Sequence, residues 1–161
     1  MGVVIFAGSF HGKTTAHNKQ LAFDVEAEPP EAAINYDKWL EEYETYRKIE
    51  EEWKSTRVPK NLERRNKAFN AMCIEAYQSD VPVLLSHHSG ELEKMAKRAG
   101  REVRFVLLDY MEMARRLEAT PPDKAPIFRM MSAYGFAQGL ARRPAMIVLY
   151  PTIEKAIASW R

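Results

Sequence analysis

One cysteine, Cys73, stands among 161 residues, so no disulfide can close within the chain. That absence suits a reducing compartment, and a cytoplasmic protein is expected. Long hydrophobic runs are missing too. None approaches the roughly 18 apolar residues that a membrane helix requires, which speaks against a spanning protein. Met1 leads directly into a strand-like segment with no basic region and no apolar leader, so no secretory signal is expected. Charge of one sign is also scarce. The 24 basic and 22 acidic residues sum to +2, too little by itself to imply nucleic-acid binding. There is no internal repeat and no low-complexity tract.

The residues that are present describe an ordinary globular chain, 46% apolar and 29% charged. A single domain of this length buries about 70% of its unfolded surface and needs no metal or disulfide staple. Charge is distributed less evenly than its sum. Residues 37–56 hold seven acids and four bases, residues 57–67 and 94–104 each hold five bases and one acid, and residues 115–143 hold six bases and two acids. Such stretches form solvated helix faces or a basic rim around an anionic ligand.

Four short apolar runs punctuate the chain: Val3–Ala7, Val81–Leu85, Val103–Leu108 and Ala145–Leu149. Runs of this length read as strands buried on both faces, as in a parallel sheet. Helical patterns lie between them, and the alternation predicts an α/β layer fold. Trp39, Tyr43, Tyr46, Ile49 and Trp53 step by four, three, three and four, one face of a helix over Asp37–Ser55. After Pro59 a second stripe follows, Leu62, Phe69, Met72, Cys73 and Ala76, so the two helices form a hairpin inserted between strands. The aromatic stripe is read as core, with a base-stacking platform as the minority reading and a homodimer interface as a further possibility. Glu91–Ala99, Tyr110–Leu117, Ile127–Leu140 and Thr152–Trp160 read as later helices, and Ala119–Pro126 as a loop. The segment from Thr15 to Tyr36 admits two readings. Either Ala22–Glu26 is a short strand offering Asp24, Glu26 and Glu28, or Ala33–Tyr36 is the strand and Asp37 ends it.

The chemistry is concentrated at the start of the chain. The run Val3-Val4-Ile5-Phe6-Ala7 enters Gly8-Ser9-Phe10-His11-Gly12-Lys13-Thr14-Thr15, an apolar strand followed by a loop that ends in Gly-Lys-Thr and opens a helix. A phosphate-binding P-loop needs this context. Backbone amides of residues 8–15 would cradle the phosphates, Lys13 would reach the β- and γ-phosphates, and the Thr14 hydroxyl would be a ligand to Mg²⁺. The first glycine of the usual pattern falls at Ala7, with Gly8 one place late.

In element order the whole chain resembles the P-loop kinases, the superfamily of adenylate, thymidylate, shikimate, deoxynucleoside and polynucleotide kinases. Within it the chain is most similar to phage-type polynucleotide kinases. Three segments carry that likeness: Ile34-Asn35-Tyr36-Asp37, Val106-Leu107-Leu108-Asp109 followed by Arg115-Arg116, and Ala125-Pro126-Ile127. The resemblance implies a single three-layer P-loop NTPase domain over residues 1–161. It would have a five-stranded parallel sheet in the order 2-3-1-4-5, a helical insertion at about 37–79 and a short lid at about 115–129. It also implies ATP and Mg²⁺ as cofactors, and a nucleotide, nucleoside or nucleic-acid hydroxyl as acceptor.

Phosphoryl transfer then sets the expected roles. The acceptor hydroxyl needs a carboxylate, with Asp37 first and Asp24 second in line and Glu26 and Glu28 also available. Asp37 also suits a helix N-cap. Arg115, Arg116 and Arg129 flank the proline-rich loop as lid candidates. Arg64 and Arg65 on the hairpin would meet an acceptor phosphate or a nucleic-acid backbone. His87 and His88 follow strand three as substrate contacts, with Ser89 as a helix cap, and with His11 they form a conceivable metal cluster. Many P-loop kinases place an acid at the end of strand three. Here Ser86 stands there as the substitute that would hold a metal-bound water. That departure supports a second reading, a nucleotide-binding regulatory module; it disfavours a third, an ATPase within a larger assembly, for which Asp109 after strand four is the only acid in a comparable setting.

Overall fold

The structure, a computed structural model, describes residues 2–8, 13–27, 36–108, 110–119, 121, 147–150 and 152–159. The elements in chain order are β1 (Val3–Ala7), α1 (Lys13–Asn18), β2 (Phe23–Asp24), α2 (Tyr36–Thr56), α3 (Pro59–Gln78), β3 (Val83–Ser86), α4 (Gly90–Arg98), β4 (Glu102–Leu108), α5 (Tyr110–Glu118), β5 (Ile147–Tyr150) and α6 (Ile153–Ala158). Each apolar run overlaps a strand; β3 begins two residues later than its run, and the described part of the last run, residues 147–149, lies on β5. The predicted helix Ile127–Leu140 lies outside the described residues, as do Ala145 and Met146.

The strands form one sheet in the order β2-β3-β1-β4-β5, and every neighbouring pair is parallel. Four strands of four to seven residues carry it. β2 is reduced to two residues at one edge, where Phe23 and Asp24 pair with Leu84 and Leu85. This matches the first of the two sequence readings; residues 33–35 of the second lie outside the described residues. The strand lies within Ala22–Glu26 and ends on Asp24. Tyr36 opens a helix instead, so Asp37 is in the first turn of α2 and ends no strand. An acid there complements the positive end of the helix dipole.

Parallel strands must be covered on both faces, which is why these runs do not alternate with polar residues. All five residues of β1 are buried. On one face Val4, Phe6, Leu84, Val103 and Phe105 pack with residues of α2, α3 and α4. On the other, Val3, Ile5, Ala7, Val83, Leu85 and Val106 pack with Ala16 of α1 and with Ile153, Ala156 and Ile157 of α6. Each large apolar side chain so buried contributes roughly 1.5–3 kcal/mol of transfer free energy. Gly2 shows how tightly β1 meets the neighbouring chain. A Cβ there would lie 2.0 Å from the Pro82 carbonyl oxygen, which accepts from the Val3 N–H at 2.9 Å.

The helical hairpin is the largest addition to the layers. Pro59 occupies the first turn of α3, where its missing N–H costs nothing. Trp39 and Tyr46 are 2% exposed, and the Trp39 indole N–H donates to the Met72 carbonyl at 3.1 Å. Trp39 and Tyr46 of the aromatic stripe are therefore core, Tyr43 and Ile49 pack partly buried against it, and Trp53 is half-buried outside it. Of the second stripe, Phe69, Met72, Cys73 and Ala76 are buried, whereas Leu62 is exposed near the hairpin tip. A continuous ladder of rings then leads toward the sheet. Tyr46 meets Phe69 at 5.3 Å between centroids, and Phe69 meets His87 at 5.3 Å.

Arg101 reverses one expectation drawn from charge. It belongs to the basic stretch 94–104, yet it is 4% exposed. Its guanidinium donates to the carbonyls of Tyr77 (2.6 Å), Val81 (2.7 Å) and Ser79. One planar fork thus ties the start of β4 to the end of α3 and the turn into β3. Burial lowers its pKa. Among the described residues no helix is long and apolar enough to cross a membrane.

Candidate functional site

The site lies where the carboxyl ends of β1, β2 and β3 meet the first turn of α1. In open α/β sheets this edge is where ligands bind. Parallel pairing brings the three ends together: Phe6 is in register with Ser86, and Asp24 with Leu85.

Lys13 opens α1 and is 8% exposed. Its ammonium donates to the carbonyls of Ala7 at 3.1 Å and Gly8 at 2.9 Å, so the cation folds back over the end of β1. Next along the helix, Thr14 and Thr15 are exposed. The Thr14 hydroxyl donates to Asp24 Oδ2 at 3.4 Å. Gly8 is half-buried; Ser9, Phe10, His11 and Gly12 lie outside the described residues.

Asp24 is 2% exposed. Its Oδ1 accepts from the Glu26 N–H at 3.1 Å, and its own N–H donates to His17 Nδ1 at 3.2 Å. Burial raises the Asp24 pKa above the ordinary aspartate value; the Glu26 amide and the Lys13 charge oppose that rise. Among the described residues no lysine or arginine pairs with Asp24. Among the described residues its oxygens accept only from the Thr14 hydroxyl and the Glu26 amide, and the Lys13 charge acts on it through space.

His17 was not singled out in the sequence. Its position, four residues after Lys13 on α1, was the available signal, since that spacing puts both on one helix face. Glu26 follows on the turn after β2. Its Oε2 lies 3.8 Å from His87 Nδ1. His87 packs on Phe69, and burial lowers its pKa, with the Glu26 carboxylate acting the other way.

His88 points elsewhere. Its ring packs against Phe6 and Phe105, each at 5.1 Å, and Nε2 lies 3.2 Å from Glu93 Oε2. It joins α4 to the sheet, whereas His87 remains at the cleft. Ser86 is fully buried. Its hydroxyl accepts from Tyr77 at 3.1 Å and donates to the His87 carbonyl at 3.0 Å. Its one proton is given to the His87 carbonyl and its oxygen is closed off from solvent, so it does not present itself to a metal-bound water as expected. Ser89 caps α4 as expected, accepting from the Leu92 N–H at 3.1 Å.

The arginines are distributed over three places. Arg64 pairs with Glu52 at 3.3 Å along the exposed hairpin. Arg65 donates to the Tyr46 hydroxyl at 3.0 Å and to Glu50 Oε1 at 3.2 Å, its guanidinium over the Tyr46 and Phe69 rings. It is built into the hairpin. Arg115 and Arg116 both bind Glu112, at 2.6 and 2.8 Å. Arg129, Asp109 and Glu28 lie outside the described residues, as does most of the proline-rich loop.

No protein-family model matches the chain, and neither a curated protein nor a solved structure matches it. The site therefore stands on its own chemistry. Thr14 and Asp24 offer hard oxygen donors, the kind that Mg²⁺ takes. Among the described residues no group of three or more His, Cys, Asp or Glu is placed to hold a metal ion. Two protein oxygens suit a cation that arrives with a nucleotide, because Mg²⁺ keeps phosphate oxygens and waters in its shell.

Proposed function

We propose that the protein is an ATP-dependent kinase that transfers the γ-phosphate to a hydroxyl of a nucleotide, a nucleoside or a nucleic acid. The observation that carries the reading is Lys13. A cation buried at the junction of a core strand and a helix, with its ammonium on the carbonyls of Ala7 and Gly8, sits where a P-loop lysine would wait for phosphate. The parallel sheet, with β1 flanked by β3 and β4, supports a P-loop-type three-layer fold. A nucleoside monophosphate kinase is the alternative; its acceptor is an ionised phosphate oxygen in place of a hydroxyl, and it needs no strong base.

The transition state of phosphoryl transfer spreads negative charge over three oxygens, and catalysis is mainly positioning and cations. In this reading the loop before α1 binds the phosphates and Lys13 moves from the carbonyls onto them. A bound Mg²⁺ would neutralise charge on the phosphates, with Thr14 as one ligand. The acceptor enters between the ends of β2 and β3 and the hairpin, where Glu26 and His87 face each other. Arg115, Arg116 and Arg129 supply lid cations. The engaged Ser86 at the end of β3 favours a second reading, a nucleotide-binding module with little turnover.

Label transfer from γ-³²P ATP with Mg²⁺ tests this. The acceptors are nucleosides, monophosphates, single-stranded DNA, hydroxymethylated duplex DNA and water, with Lys13→Ala as control. Label on one acceptor, lost in the variant, supports the kinase. Release to water alone supports an ATPase, and nucleotide binding without turnover supports the regulatory module.

A further inference from the structure

We infer that Asp24, at the end of β2, does the work that an acid after strand three does in a P-loop site: it fixes the divalent cation that accompanies the nucleotide. The inference rests on the proposed nucleotide site and assigns one group within it.

Three observations converge on Asp24. The first is contact. Thr14, the residue after the P-loop lysine, turns its hydroxyl to Asp24 Oδ2, so the two oxygens already face one another at 3.4 Å. Two oxygens at about this separation can bind one hard cation between them. The second is exclusion. At the end of β3 the hydroxyl of Ser86 is occupied on both sides by Tyr77 and the His87 carbonyl. Side chains at that strand end therefore leave the cation without an acid from β3. The third is charge. Asp24 is 2% exposed and held only by a hydroxyl and an amide, with no lysine or arginine paired to it among the described residues. A buried carboxylate is costly without a countercharge in contact with it; Lys13 acts on Asp24 only through space, and a divalent cation would supply the contact. Asp24 is thereby committed to the cation, which leaves Glu26 and His87 to face the acceptor.

The test measures binding, so it does not depend on finding the acceptor. Affinity for a fluorescent N-methylanthraniloyl ATP is measured in EDTA and in Mg²⁺ for the wild type, Asp24→Asn, Glu26→Gln and Ser86→Ala. In the wild type Mg²⁺ strengthens binding. In D24N the EDTA affinity should stay within about twofold of wild type, while Mn²⁺ affinity with ADP, read by electron paramagnetic resonance, should fall about 10–100-fold. E26Q and S86A should keep the wild-type response to the cation. A folded D24N that retains the full Mg²⁺ and Mn²⁺ response overturns the inference and leaves the nucleotide site standing. Wild-type protein that binds no nucleotide, or a Lys13→Ala variant that binds as well as wild type, overturns the site and the inference with it. Should D24N fail to fold by its melting curve, wild type carrying ¹³C-carboxyl aspartate decides. Electron–nuclear double resonance of bound Mn²⁺ and ADP should show coupling to a carboxyl carbon, and its absence overturns the assignment.

Discussion

Tyr77 and Ser86 meet in the core beneath the end of β3, the phenol donating to the serine hydroxyl at 3.1 Å with both residues inaccessible to solvent. The contact joins α3 to the strand whose end lines the cleft. Burial pushes the Tyr77 phenol far above its ordinary pKa, so it stays a neutral donor at every physiological pH. Tyr77→Phe removes the donor and leaves the Ser86 hydroxyl its bond to the His87 carbonyl. The expected cost is about 1 kcal/mol, read as a lower urea midpoint with unchanged slope. Nucleotide affinity should not move, because Ser86 has no cation to hold.

Arg101 should be the most sensitive single position outside the cleft. Replacing it with Met leaves three carbonyls, of Tyr77, Ser79 and Val81, without their shared donor. We expect a loss of about 3 kcal/mol in urea unfolding, at the upper end for hydrogen bonds to a charged group. Arg101→Lys should recover little of it, because an ammonium cannot reproduce a planar fork.

Local patterns made most of the layers legible. Continuous apolar runs fell on β1, β3, β4 and β5 because both faces of a parallel strand are buried, and the three-and-four spacing from Trp39 to Trp53 fell on α2 for the equivalent helical reason. β2 stayed open between two readings, Ala22–Glu26 and Ala33–Tyr36, because two residues carry no period. The acid that ends it is recognisable only once Leu84 and Leu85 pair beside it. In the site, Lys13 and Thr14 were legible because they follow a strand-to-helix junction that is contiguous in sequence. The meeting of Asp24 with Thr14, and of Glu26 with His87, joins residues 10 and 61 positions apart in a spacing that sequence does not encode. Arg65 and Arg101 were misleading for the opposite reason. Composition counts a positive charge without showing whether a carboxylate or a carbonyl already holds it.

The hairpin gives a pH-dependent prediction. Glu50 is a buried carboxylate; burial alone would raise its pKa, but the Tyr46 hydroxyl, Arg65 and Lys54 outweigh this and lower it below 4.5. A carboxylate depressed on folding stabilises above its unfolded pKa, and that stability is lost as pH falls through the folded value. Glu50→Gln should therefore be less stable than wild type at pH 7. The gap should narrow steadily as pH falls below about 4.5. Melting curves of both proteins from pH 7 to pH 3 check this, and a gap that stays constant would contradict it. Arg65→Ala should resemble E50Q in stability. Its acceptor KM should be unchanged, because its guanidinium is committed to Glu50 and Tyr46.

The last prediction concerns the lid. Arg115 and Arg116 converge on Glu112, whose carboxyl they hold at a pKa of about 2. On the kinase reading, an arginine that closes on phosphates must first leave this carboxylate, so Glu112 competes with ATP for the same cations. Glu112→Gln weakens the competitor without shortening the side chain. ATP should then bind a few-fold more tightly, a small gain because exposed pairs contribute little. Arg115→Ala and Arg116→Ala in the Gln background separate the two, since adjacent helical residues point about 100° apart and only one need reach the phosphates. The arginine whose removal cancels the gain is the lid residue. If neither does, Glu112 only secures the end of α5, and the lid cation lies beyond residue 119.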